Sequence, residues 1–73
     1  MKVKMLKTVY NVPVIDNFGE GEEETYREVD LEFGFDFDAK YIGIGKLRLW
    51  KGKTVIFRLF DMSENNDLFM FIE

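Results

Sequence analysis

The chain has no cysteine and no histidine, and only one serine, one proline and one alanine among its 73 residues. Each absence closes a class of chemistry. Without cysteine there is no disulfide framework, no thiolate zinc site and no thiol nucleophile. Without histidine there is no imidazole base, no Ser–His pair and none of the commonest metal ligand. Ser63 stands alone with no base beside it in sequence, so serine catalysis has no support. An enzyme is not expected, and no cofactor or metal is implied. No apolar run approaches the roughly 18 residues that a membrane-spanning helix needs. The first residues, MKVKMLK, are basic, but no uninterrupted apolar stretch follows. That argues against a secretory signal and makes the cytoplasm the expected setting.

What the chain does have is aromatic and charged. It carries eight Phe, one Trp and three Tyr, and hydrophobic residues make up 47%. The length allows one domain, residues 1–73. A core this small is marginal without a staple, so the missing stability must come from an unusually apolar core or from association. The formal charge of −4 hides strong segregation. Residues 1–15 sum to +3, residues 16–38 to −9, residues 39–60 to +6 and residues 61–73 to −4.

The dominant period is two. Val29, Leu31, Phe33, Phe35 and Phe37 alternate with Asp30, Glu32, Gly34 and Asp36. This predicts a half-buried strand. No helical stripe appears, and β-branched and aromatic residues crowd the periodic segments. The expected fold is all-β: a small antiparallel sheet or barrel of about five strands joined by hairpins. The strands are predicted over residues 2–12, 25–37, 41–50, 54–61 and 67–72. Asp16–Glu24 reads as an unpaired acidic loop. Asp38-Ala39-Lys40 reads as a short turn and Lys51-Gly52-Lys53 as a tight hairpin turn.

Pairing Phe37 with Tyr41 would set Glu32 against Lys46, Asp30 against Arg48, and Phe33 and Phe35 over Gly45 and Gly43. Pairing Trp50 with Thr54 would then place Val55, Phe57 and Leu59 beside Leu47 and Leu49. The predicted core is Val29, Leu31, Phe33, Phe35, Phe37, Leu47, Leu49, Val55, Phe57 and Leu59. Ile42, Ile44, Trp50, Ile56 and Phe60 would be left on a second apolar face. Either the sheet curls so that the first or the last strand covers it, or it is an interface, since an exposed patch of this size usually marks a partner site.

Several motifs have a bland and a sharp reading. Ile42-Gly43-Ile44-Gly45 contains a G-x-G but lacks the third Gly and the helix of a dinucleotide fingerprint. Strand glycines that admit neighbouring rings explain it better. The acids Asp16, Glu20, Glu22, Glu23 and Glu24 lack the spacing of an EF-hand, and read as a solvated loop or a basic-partner docking loop. Asp36 and Asp38 read as edge protection rather than acid–base chemistry.

The favoured function is a small non-enzymatic protein-interaction module. An acidic inhibitor or accessory protein of the kind found in phage and mobile elements would fit this description. Trp50, Ile42, Ile44, Ile56 and Phe60 would be its anchors, with Trp50 foremost, and Glu20, Glu22, Glu23 and Glu24 would supply charge. Its partner is an unidentified protein, and a homo-oligomer is expected. A second class is small anionic-ligand binding at a homo-oligomer interface through Arg58, Arg48 or Lys46. A third is single-stranded nucleic-acid binding through the basic 39–60 stretch, with Lys46, Arg48, Arg58, Lys51 and Lys53. The overall acidity makes nucleic acid the weaker of these.

Overall fold

A computed structural model describes residues 1–72. It is all-β, one curled antiparallel sheet of eight strands, with a single turn of 3-10 helix at Gly21–Glu23. The strands are β1 (Lys2–Met5), β2 (Val9–Asp16), β3 (Thr25–Leu31), β4 (Asp36–Tyr41), β5 (Lys46–Lys51), β6 (Thr54–Ile56), β7 (Phe60–Asp61) and β8 (Phe69–Phe71). Their order across the sheet is β3-β2-β6-β5-β4-β1-β8, with β7 pairing β5.

The topology is simplest as one long ribbon bent in the middle. Asp16 pairs Thr25 at its closed end, and Val9 pairs Leu31 before the bend. Beyond the bend, Lys4 pairs Asp36 and Lys2 pairs Asp38 on the same count. The bend is held by hydrogen bonds from Met5 N–H to the Phe35 carbonyl (2.7 Å), from Gly34 N–H to the Met5 carbonyl (2.9 Å) and from Phe33 N–H to Thr8 Oγ1 (3.1 Å). Gly34 makes the turn possible with φ +90°, a conformation that side chains resist. A bulge lies at Tyr10 and Asn11, where the register shifts between Val9 and Val12 and Asn11 adopts φ +55°. The β5–β6 hairpin then joins the two arms, because β5 pairs β4 while β6 pairs β2.

One core serves both arms. Val3, Met5, Val12, Val14, Leu31, Phe37, Ala39, Leu47, Leu49, Ile56, Phe60 and Phe69 form a single buried cluster. Phe60 and Phe69 meet edge to face at 5.1 Å, a favourable geometry for their ring quadrupoles.

Several sequence expectations give way here. The 25–37 strand is two strands, broken at Glu32–Phe35. Asp38-Ala39-Lys40 is the middle of β4 rather than a turn, and the turn lies at Ile42–Gly45. Gly43 and Gly45 therefore serve a turn, with φ of +72° and +70°, and are not strand glycines beneath Phe rings. Lys40 pairs Arg48, so neither Glu32–Lys46 nor Asp30–Arg48 forms. Trp50 pairs Val55 rather than Thr54. The loop is the two residues Gly52 and Lys53, with Gly52 at φ +60° in its first position.

That one-residue slip inverts the faces of the following strand. Ile56 and Phe60 are core, 2% and 0% exposed, and leave the proposed partner face. Phe57 and Leu59 are exposed in the break between β6 and β7, and Phe33 and Phe35 are exposed at the bend.

Candidate functional site

Of the anchors expected from sequence, Ile42 and Ile44 are exposed on the β4–β5 turn, Ile44 completely. Trp50 is half-buried on the outer face, where it stands beside Val55, and Val55 beside Ile15. The five do not form one patch. Ile42 and Ile44 instead adjoin Tyr41, whose ring stacks on Phe71 at a centroid distance of 6.4 Å.

The acidic loop is less free than its composition suggests. Phe18 N–H donates to the Lys53 carbonyl at 2.9 Å, and Glu20 forms an ion pair with the Lys53 ammonium. Glu24 accepts from Gly19 N–H at 2.8 Å. Glu22 and Glu23 lie in the short helical turn and are exposed. Asp16 accepts from the Arg27 guanidinium and from Thr54 Oγ1 (2.7 Å), which together hold its carboxyl below the usual value. The loop is thus tied to the β5–β6 turn.

The five cations of the nucleic-acid alternative are divided. Lys46, Lys51 and Lys53 pair with Asp61, Asp36 and Glu20. Arg58 lies over the Phe60 ring at 4.7 Å, a cation–π contact. Arg48 is half-buried on the outer face.

The principal concavity lies elsewhere, between the two arms at the open side of the core. Its volume is about 400 Å³, within the size range of small-molecule and side-chain pockets. Val14, Val29, Leu31, Phe37 and Ile56 are its apolar walls, while Arg27, Asp30, Lys51 and Thr54 supply polar groups. Both cations are already answered, Arg27 by Asp16 and Lys51 by Asp36. The cavity therefore suits apolar groups more than a free anion.

Its position next to β3 gives it meaning. β3 ends the sheet and pairs β2 alone. Pro13 fixes which β3 groups remain free. Its carbonyl accepts from Phe57 N–H at 2.9 Å, on the β6 side of β2. In an antiparallel ladder the bonded side alternates, so Pro13 makes no ladder bonds to its β3 partner, Glu28. The backbone N–H and C=O of Tyr26 and Glu28 then point outward from the edge. The missing N–H of Pro13 costs nothing on the β3 side. Meanwhile Arg27, Val29 and Leu31, alternate residues of the same strand, line the cavity.

Val14, Arg27, Asp30 and Thr54 are not recognisable from sequence as members of one site. The available signal was that two strand-like segments, residues 9–16 and 25–31, flank one loop and so must pair as a hairpin. Comparison with protein-family models, with curated proteins and with solved structures finds no match to this chain.

Proposed function

We propose that the chain is a non-enzymatic protein-interaction module that takes up an extended segment of a partner protein as an added strand beside β3. The observation that supports this most strongly is the unpaired β3 edge running along the apolar cavity. Strand addition takes affinity from backbone hydrogen bonds and specificity from pockets for alternate side chains. β3 offers both, with the free backbone groups of Tyr26 and Glu28 beside the Val29 and Leu31 wall.

Charge selects the kind of segment. Residues 16–32 carry eight acids and one Arg, a net −7. Glu28 and Asp30 are exposed along the strand itself. A segment that alternates Lys or Arg with apolar residues complements this arm, its apolar side chains directed to the cavity and its cations to the acids. β8, the other end of the sheet, is a weaker candidate edge, because it spans three residues and contributes none of the walls of this cavity.

The test is an affinity measurement with a capped peptide alternating Lys and Val. Wild type binds, and binding weakens with salt. Glu28→Pro removes an outward N–H while leaving the β2 ladder intact, and lowers affinity about fivefold, the loss of roughly one net hydrogen bond. A Glu-and-Val peptide that binds equally well, or a Glu28→Pro chain with unchanged affinity, contradicts the reading.

A second reading rests on a separate observation. Tyr41, Ile42, Ile44, Phe71 and Ile72 are all exposed, and the Tyr41 ring stacks on Phe71. These exposed apolar groups support self-association into a homo-oligomer. Sedimentation of wild type against Ile44→Asp tests it, and a wild type that stays monomeric at high concentration excludes it.

A further inference from the structure

The outer face of β4 and β5 contains a pairing that folding alone disfavours. Lys40 stands directly opposite Arg48 across the two strands. Like charges in facing positions of an antiparallel pair repel at close range. The nearest acids on this face do not relieve them. Asp38 stands opposite Lys2 and Trp50 and forms no ion pair with Lys40 or Arg48, and Asp61 is ion-paired with Lys46. Asp61 is further occupied by Ser63, whose N–H and hydroxyl donate to it at 3.1 and 2.7 Å. Among the described residues, neither Lys40 nor Arg48 forms an ion pair. Moreover, the Arg48 Nε is buried and has no acceptor. A buried, unanswered donor on a charged group calls for a partner.

We propose that Lys40 and Arg48 together form a binding site for a phosphate monoester group. The guanidinium fork suits a tetrahedral oxyanion through two parallel bonds. The Lys40 ammonium, exposed across the strand, supplies a second charge from the opposite side. Lys46, held at 3.4 Å by Asp61, stands two residues from Arg48 on the same face and adds to the positive field. An anion held by the outer guanidinium nitrogens of half-buried Arg48 and by the Lys40 ammonium removes the cross-strand repulsion. The site is on the opposite side of the sheet from the cavity beside β3, so it is independent of strand addition.

Trp50, the chain's one tryptophan, is two residues from Arg48 on the same face and reports on the site by fluorescence. Inorganic phosphate, a sugar phosphate and a nucleoside monophosphate are titrated against sodium chloride at matched ionic strength. A saturable change in Trp50 fluorescence and a raised melting temperature are expected with phosphate compounds and not with chloride. The three arms distinguish free phosphate from an esterified source. Lys40→Met and Arg48→Met each weaken binding at least about tenfold, the loss of one charge-assisted contact. Without ligand, both variants melt above wild type, because the repulsion is gone. Should Arg48→Met fail to fold, Arg48→Lys, which keeps the charge and loses the fork, also binds more weakly. Equal responses to chloride and phosphate, or variants that keep wild-type affinity, overturn the proposal.

Discussion

Met5 donates its backbone N–H to the carbonyl of Phe35 at 2.7 Å. This bond carries the pairing of the ribbon through its bend, so that residues 2–16 and 25–41 form one folded hairpin instead of two unrelated ones. The turn that permits it rests on Gly34, whose φ of +90° has no steric neighbour within 4 Å of an added Cβ. Gly34→Ala therefore tests backbone strain alone. It is expected to lower stability by about 1–2 kcal/mol. Urea denaturation measures this, and an unchanged midpoint would show that the bend does not depend on that conformation.

The assignment of faces after Gly52 is tested by two phenylalanines three residues apart. Phe60 is 0% exposed and Phe57 is 57% exposed. Phe60→Ala is expected to cost about 3–5 kcal/mol through lost burial and a residual cavity. Phe57→Ala is expected to stay within about 0.5 kcal/mol, as ordinary surface changes do. The sequence-based register predicts the reverse order, so the pair of denaturation curves separates the two directly.

Acid should weaken the fold through its paired carboxyls. Asp16, Asp36, Asp61 and Asp67 are all held below their ordinary value of 3.8. The leading causes are the hydrogen bonds from Arg27, Lys51, the Ser63 hydroxyl and Lys7, respectively. A carboxyl with a depressed folded-state value binds fewer protons folded than unfolded between the two values. Stability therefore rises with pH across that window. The contribution is present above 3.8 and is lost as pH falls through the lower folded-state value. Chemical denaturation from about pH 5 down to about pH 2.5 is expected to show this decline, shallower in Asp16→Asn. A decline identical in wild type and Asp16→Asn would remove Asp16 from the account.

The all-β class was legible in the alternation of apolar and polar residues. So were the turn at Gly52 and the burial of Leu31, Phe37, Leu47 and Leu49. The faces beyond each turn were not, for a specific reason. Alternation from Val29 to Phe37 is unbroken in sequence, and the four-residue bend at Glu32–Phe35 spans an even number of positions. Leu31 and Phe37 therefore keep the same inward phase on either side of it, and nothing in the pattern marks the turn.

The paired charges were misleading in the same way. Glu32 with Lys46 and Asp30 with Arg48 formed a consistent ladder on paper, yet exposed ion pairs are worth too little to set a register. Hydrophobic burial sets it, even at the cost of placing Lys40 opposite Arg48. The cavity was illegible because its walls come from β2, β3, β4 and β6 together. Each wall residue alone looks like an ordinary strand residue.

Strand addition at β3 is tested most directly by an amide NMR titration of the labelled chain with the Lys-and-Val peptide. Strand addition produces shifts concentrated at Thr25–Leu31, largest at Tyr26 and Glu28, and extending to Phe35, Phe37 and Ile56 around the cavity. No shifts at saturating peptide, or shifts confined to β8 and the Ile42–Gly45 turn, would contradict it.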